Sequence, residues 1–153
     1  PLPRIDRLAA RLRASLPDDT RLLITGAHGM VAAPQQRWVL VDDVPGPGNH
    51  PTLFAGAGRL RPLYAAPRHV AAVKRRWAAA MGERAWVLTR DEAIDAGWFG
   101  TMDPRMGPRI GDVLVAMRDD GAVMTRSQPR EFGLVGMHGS LTELETRVPL
   151  LVA

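Results

Sequence analysis

The chain has 153 residues, with 20 basic and 16 acidic side chains, a net charge of +4 and no cysteine. This length suffices for one domain with a hydrophobic core. The lack of cysteine excludes disulfide frameworks and thiolate metal sites, so any metal must be held by His, Asp or Glu. No apolar run approaches the roughly 18 residues of a membrane-spanning helix. We expect a soluble chain without a membrane partner, cytoplasmic rather than secreted, and its start at Pro1 suggests a piece of a longer protein.

The first 50 residues predict one helix and two strands. Within residues 4–16, four apolar residues recur at helical spacing, which predicts a surface helix lying on an apolar neighbour: Ile5, Leu8, Leu12 and Leu16. The continuous apolar run at 21–25 predicts a strand buried on both faces of a parallel sheet. Residues 37–43 predict a second strand, and the adjacent Asp42 and Asp43 at its end point to opposite faces, so at most one of them is a candidate ligand.

A loop rich in proline and glycine at 44–51 marks a boundary, after which the pattern changes. Residues 58–65 predict a strand, and Pro62 within it indicates a sheet edge. Residues 67–82 predict an amphipathic helix that ends at Gly82. Its buried stripe is expected to comprise Val70, Val73, Trp77 and Met81. The basic cluster in this helix predicts a solvated face rather than a nucleic-acid surface: Lys74, Arg75 and Arg76.

The next predicted elements are a strand at 84–89 and a short helix that Thr89 and Glu92 open as a capping box. Residues 112–126 carry two apolar runs around Asp-Asp-Gly, which predicts a hairpin. The whole pattern predicts an α/β fold. We expect one compact unit made of three segments. Residues 1–50 form a core helix and strand unit with the first histidine turn, and residues 51–132 form an inserted α+β subdomain. Residues 133–153 return to the core and carry the second histidine turn.

Two of the four histidines, His28 and His138, occur in the same local setting, an apolar strand followed by small residues and His-Gly. Strand ends in α/β proteins deliver functional groups to a ligand crevice, so both imidazoles are candidate ligands for zinc or a similar ion. The alternative is that each imidazole only satisfies its own turn by hydrogen bonding. His50 lies in the Pro/Gly loop and His69 opens a helix, and neither is expected to bind metal.

No catalytic set emerges from the remaining polar residues. Ser140 is expected to cap the last helix rather than to act as a nucleophile. Glu143 and Glu145 fall in the first turn of that helix, where the helix dipole favours carboxylates. Four large side chains are expected to pack inside the protein rather than to stack on bases: Trp77, Met81, Trp86 and Trp98.

These turns carry a family resemblance. The segment LLITGAHGMV at 22–31 resembles the metal-binding turn of the alkaline phosphatase superfamily, in its nucleotide pyrophosphatase and phosphodiesterase branch, where the pattern is Thr, a small residue, Asp, His, Gly and Met. The segment at 136–153 is similar to the last histidine turn of that branch. The segments RAWVLTRDEAIDAGWFG and PRIGDVLVAM, which lie between the two turns, resemble actinobacterial alkaline phosphatase family proteins.

The resemblance implies a carboxyl-terminal portion of a three-layer αβα sandwich with two zinc ions, which activate the nucleophile and an attacking water and clamp the phosphoryl oxygens. It assigns His28 to the first ion and His138 to the second. Ala27 stands where the family has the metal-binding Asp, and the family's nucleophile precedes the matched region. The implied function is part of a metal-dependent phosphodiesterase acting on phosphate esters or nucleotides, inactive as this segment.

Two other interpretations stay open. The chain is alternatively a non-catalytic relative that binds a ligand or a partner, which the alanine at position 27 favours. The third, a basic nucleic-acid-binding module, is disfavoured because the basic residues are not clustered among aromatic ones. An isolated part of a sheet would expose strand edges and apolar faces, so we expect a homodimer or association with the amino-terminal half of the family fold.

Overall fold

The computed structural model describes residues 2–44 and 53–153. The helices are α1 (Leu2–Ser15), α2 (Val70–Met81), α3 (Arg90–Asp95) and α4 (Glu143–Thr146). The strands are β1 (Leu23–Thr25), β2 (Val31–Ala32), β3 (Trp38–Leu40), β4 (Leu53–Phe54), β5 (Leu60–Tyr64), β6 (Ala85–Thr89), β7 (Val113–Met117), β8 (Ala122–Met124), β9 (Gly136–Met137) and β10 (Leu150–Val152). The loop prediction at 44–51 and His50 fall almost wholly outside the described residues.

The core lies between α2 and a four-stranded antiparallel sheet of order β4-β5-β7-β6. Every residue of β7 is buried, because β7 is a central strand. Three members of the predicted helical stripe are buried against the sheet, namely Val73, Trp77 and Met81. The helix ends at Gly82, which adopts φ 52°, a conformation that glycine takes without steric cost. The predictions for α2 and for the capping box of α3 are confirmed.

The expectation that Pro62 marks a sheet edge is wrong, because β5 lies between β4 and β7. The carbonyl of Pro62 accepts a hydrogen bond from the amide of Ala55, next to β4, whereas the carbonyl of Leu63 faces Asp112, next to β7. The amide and carbonyl of one strand residue point to the same side. The missing N–H of Pro62 therefore falls on the side of the short strand β4, and the pairing with β7 is preserved.

The predicted hairpin at 112–126 is also wrong, although the strands β7 and β8 and the turn between them exist. The backbone of Gly58 and Arg59 passes between the two strands, so that the amide of Met117 donates to Arg59 and the amide of Val123 donates to Gly58. Strand β8 instead pairs in parallel with β3. The buried Arg59 accounts for this insertion, since its guanidinium donates to the carbonyls of Asp119 and Gly121 in the turn.

Strand β1 is not the buried parallel strand that its apolar run predicted. It pairs antiparallel with β10, and its residues are exposed or half-buried, with Leu23 61% exposed. Helix α1 forms as predicted but has no buried residue, so no described element covers its apolar stripe. Periodicity identifies an apolar face, but it does not show whether that face has a partner within the chain.

No helix among the described residues combines the length and the apolar character that crossing a membrane requires.

Candidate functional site

The fold brings the two histidine turns together. His28 lies in the loop between β1 and β2, and His138 directly follows β9. Strands β2 and β9 pair antiparallel, with Val31 opposite Met137. The imidazole rings of the two histidines stack with their centroids 3.4 Å apart and their planes inclined by 11°. Both residues are exposed, so the face of the pair is accessible from outside the described part of the chain.

The tautomer of His28 follows from its hydrogen bond. Its Nδ1 lies 2.8 Å from the carbonyl oxygen of Gly29. A carbonyl only accepts hydrogen bonds, so Nδ1 carries the proton and donates it. In the neutral imidazole, Nε2 is then the nitrogen with the lone pair. A backbone carbonyl that fixes the tautomer in this way is the usual companion of a metal-binding histidine.

The residues present do not form a complete zinc site. Among residues 2–44 and 53–153, no three His, Cys, Asp or Glu side chains lie close enough together to hold a metal ion. A catalytic zinc has three protein ligands, and Ala27 next to His28 offers a methyl group. Asp42 and Asp43 do not supply the missing carboxylate, because they follow β3 and form ion pairs with Arg126 at 3.4 and 3.7 Å.

His69, which the structure also describes, stays apart from this pair. His69 precedes α2, and its Nε2 accepts a hydrogen bond from the side chain of Arg68 at 3.0 Å. Of the three histidines that lie within residues 2–44 and 53–153, the structure therefore brings together the two that share a strand-to-turn setting.

The side chain of Glu145 is buried, and this residue forms hydrogen bonds with both histidine turns. The sequence predicted only that Glu145 lies in the first turn of the last helix. Its Oε1 accepts a hydrogen bond from the amide of Ser140 at 3.0 Å, and its Oε2 accepts one from the hydroxyl of Thr142 at 2.5 Å. The spacing Thr142-x-x-Glu145 is that of a capping box, a signal that was present in the sequence. The predicted cap, Ser140, does not act as one, because α4 begins after Thr142 and the Ser140 hydroxyl donates to Met117.

A buried arginine neutralises this carboxylate. Arg59 donates from Nε and Nη2 to the two oxygens of Glu145 at 3.1 and 2.8 Å, a fork that holds both oxygens in place. The side chains of the pair are 0% and 2% exposed. A second buried arginine, Arg61, pairs with Glu131 at 2.6 Å. Composition and periodicity gave no sign of either pair, because a charged residue in a strand-like segment is normally expected on its solvent face.

The surroundings of Glu145 keep its carboxyl ionised. Burial alone would raise its pKa, but the hydrogen bonds from Arg59, Thr142 and Ser140 and the positive charge of Arg59 outweigh burial and lower the pKa from its ordinary value of 4.5. The carboxylate is thus held as an anion beside the two histidine turns.

A cavity of about 180 Å³ adjoins His138. Apolar and small residues form most of its wall: Met30, Ala57, Gly58, Leu134, Gly136 and Met137. Glu131, the partner of the buried Arg61, also lines this cavity beside His138.

Comparison with known proteins assigns this arrangement to a family. The profile described as type I phosphodiesterase / nucleotide pyrophosphatase matches residues 2–141. No curated protein sequence matches the chain. Among solved structures, murine ectonucleotide pyrophosphatase/phosphodiesterase 5 is similar with a TM-score of 0.72 at 16% identity, and the match covers 97% of this chain and 38% of the murine one.

Two further structures agree with that match. The human ectonucleotide pyrophosphatase/phosphodiesterase 5 gives a TM-score of 0.71 at 15% identity over 97% of this chain and 37% of its own. The phosphonoacetate hydrolase of Sinorhizobium meliloti 1021, in complex with phosphonoformate, gives 0.62 at 20% identity over 96% of this chain and 38% of its own.

These likenesses confirm the expected α/β class and the alkaline-phosphatase-like fold. The chain spans about 38% of the length of the murine structure. Because the family profile covers nearly the whole chain, the chain belongs to the type I phosphodiesterase / nucleotide pyrophosphatase family of the alkaline phosphatase superfamily.

Proposed function

We propose that this chain supplies two histidine ligands of a two-zinc phosphoester hydrolase site, His28 to one ion and His138 to the other. The observation that supports the proposal is the stacking of these two rings, 3.4 Å between centroids, from turns at opposite ends of the sequence. If each histidine only formed hydrogen bonds within its own turn, the fold would not need to bring the two rings into contact. The tautomer of His28, with its lone pair on Nε2, also agrees with metal binding.

The geometry favours two ions over one shared ion. An imidazole binds a metal in the plane of its ring, along the lone pair of the nitrogen. Two nearly parallel rings whose centroids lie 3.4 Å apart do not both hold the same ion in their planes. His28 and His138 would therefore each hold a separate ion of a two-metal hydrolase site. Ions so placed would supply Lewis acidity to the phosphoryl group and to the attacking oxygen.

By itself the chain is proposed to be inactive and to bind zinc weakly. The described residues give each ion one ligand, and the methyl group of Ala27 replaces a carboxylate that would offset the charge of Zn²⁺. We propose that the other ligands and the nucleophile belong to further chain of a longer protein. This chain covers 38% or less of the length of the matched structures, which supports this proposal.

The proposed substrates are phosphate esters, in particular nucleotides. An inactive variant of the murine relative has been crystallised in complex with AMP, and the bacterial relative acts on phosphonoacetate. Both ligands present a tetrahedral phosphorus group. The histidine pair and the adjoining cavity of this chain would face such a group at the metal ions.

An assay of bis-p-nitrophenyl phosphate hydrolysis tests this proposal. We expect no turnover by the 153-residue chain, and a gain of turnover when Ala27→Asp is introduced into the longer protein that we propose to contain it. Failure of Ala27→Asp to raise turnover, in a protein whose other metal ligands are intact, would contradict the assignment of His28 to a zinc ion. Ala10→Asp, on the exposed face of α1, is the matched control.

The second candidate function is that of a non-catalytic relative that binds a phosphorylated ligand or a partner. Ala27 is the observation that favours it, because the substitution removes a charged ligand from the centre of the site. This candidate predicts no turnover by the longer protein with or without Ala27→Asp, together with calorimetrically detectable binding of AMP.

A further inference from the structure

Glu145 contacts both histidine turns, the second through its buried carboxylate and the first through its backbone carbonyl. We propose that Glu145 is a positioning residue, and that the ion pair between Arg59 and Glu145 holds His28 and His138 in the stacked geometry. This inference rests on the proposed function only in that the positioned histidines would serve to bind metal. The stacking of the two rings is present without any metal.

The contact to the second turn runs through the side chain. Oε1 of Glu145 accepts the amide hydrogen of Ser140 at 3.0 Å, and Ser140 lies two residues after His138. The intervening Gly139 has φ 123°, a conformation that side chains rarely adopt. The carboxylate thus fixes the end of a tight turn whose first residue is His138.

The contact to the first turn runs through the backbone of the same residue. The carbonyl oxygen of Glu145 accepts the amide hydrogen of Gly29 at 2.9 Å. A Cβ atom on Gly29 would lie 1.8 Å from the carbonyl oxygen of Leu144, so the approach of the two segments requires glycine at that position. The residue after His28 is therefore pressed against the helix that carries Glu145.

The anchor for both contacts is Arg59. Two of its nitrogens hold the carboxylate of Glu145, and Nη1 donates to the carbonyls of Asp119 and Gly121, the latter at 2.7 Å. Those carbonyls belong to the turn between β7 and β8, and all of β7 is buried in the main sheet. The described contacts thus form a continuous path from the core through Arg59 and Glu145 to both histidines.

The ring-current shift between the two imidazoles provides a test without metal. The reference is the change in the His28 Hε1 and Hδ2 chemical shifts that His138→Ala causes in the 153-residue chain. We expect a folded Glu145→Gln variant to lose more than half of this shift, because the amide nitrogen of Gln accepts no hydrogen bond and the donors at that end of the side chain lose their acceptor. Glu143→Gln, on the same helix but exposed, should leave the shift unchanged.

A double variant separates positioning from stability. Arg59→Met combined with Glu145→Leu removes both buried charges, and such apolar replacements of buried ion pairs often preserve stability. We expect this variant to keep the dispersed methyl signals of the core and to lose the stacking shift. Retention of the full shift in either folded variant would overturn the inference. A failure of both variants to fold would also overturn it, because the ion pair between Arg59 and Glu145 would then support the fold as a whole. A failure of Ala27→Asp to tighten zinc binding would contradict the proposed function and leave this result unaffected.

Discussion

At the scale of single residues, the site depends on how closely two backbone segments approach each other. Gly29 lies against the peptide that joins Leu144 to Glu145, and its amide donates to that helix at 2.9 Å. The glycine of the His-Gly pair is therefore required by packing. In the sequence it is only one of 15 glycines, and nothing local distinguishes it, because the peptide that it contacts lies more than a hundred residues away.

We predict that Gly29→Ala is destabilising. The added Cβ would overlap the carbonyl oxygen of Leu144 at 1.8 Å, so the turn or the helix must move. Overpacking of this kind costs about 1–3 kcal/mol, which urea unfolding of the 153-residue chain would resolve. Gly133→Ala is the control, since a Cβ at Gly133 meets no atom within 4 Å. Equal stability of the two variants would contradict the close approach.

The lowered pKa of Glu145 predicts a contribution to acid sensitivity. Its carboxyl has an ordinary pKa of 4.5 and a lower value in the folded chain. The ionised carboxylate therefore stabilises the fold above about pH 4.5, and this stabilisation is lost as the pH falls through the folded pKa. We expect the free energy of unfolding of Glu145→Gln to depend less steeply on pH in this acidic range than that of the wild type.

The acid slope will not vanish in that variant, because other carboxyls also have lowered pKa values, namely Glu92, Asp103 and Asp120. Glu143→Gln serves as the matched control and should retain the wild-type slope. An unchanged slope in Glu145→Gln would show that the buried ion pair does not favour the ionised carboxylate.

At the scale of elements, the sequence-based predictions were correct where contacts between neighbouring residues determine the structure. The capping box at Thr89 and the glycine stop at Gly82 involve contacts within a few residues, and both were predicted. The hairpin at 112–126 and the edge position of Pro62 were wrong, because distant backbone decides them. Nothing in the Asp-Asp-Gly turn indicates that the backbone at Gly58 passes between its strands.

We predict that Thr89→Ala weakens the start of α3. The hydroxyl of Thr89 accepts the amide hydrogen of Glu92, and the Glu92 carboxylate accepts that of Thr89. Loss of a cap costs about 1 kcal/mol, and chemical denaturation would measure it. Thr101→Ala, in the exposed loop after α3, should change stability much less. The same loss in both variants would show that the capping box contributes nothing specific.

At the scale of the whole molecule, the described chain has a well-packed half and an open half. The main sheet and α2 enclose the core, whereas α1, β1 and β10 expose a series of large apolar side chains: Leu2, Ile5, Leu8, Leu12, Leu23, Leu150, Leu151 and Val152. Contiguous exposed apolar patches commonly mark an interaction surface, and we expect these side chains to form one. The division of the chain into segments 1–50, 51–132 and 133–153 stays a prediction. If it holds, the first and last segments form the core and each contributes one of the two paired histidine turns.

We predict that the isolated 153-residue chain self-associates through this surface, as a homodimer or a larger species. Sedimentation velocity would measure the association, and Leu8→Glu with Leu12→Glu on the exposed stripe of α1 should shift the chain toward monomer. Ala10→Glu is the control for added charge on the same helix. A stable monomer at all concentrations would show that the exposed surface needs no partner.

We propose that the chain holds one histidine ligand for each of two zinc ions, and that its described residues do not complete either site. Calorimetric zinc titration of the 153-residue chain measures this directly. We predict no submicromolar site in the wild type and a tightening by about tenfold or more with Ala27→Asp, since even outer-shell partners change metal affinity on that scale. His28→Ala should abolish this gain. A submicromolar wild-type site that depends on His28 would contradict the proposal that this chain holds only one ligand for each ion.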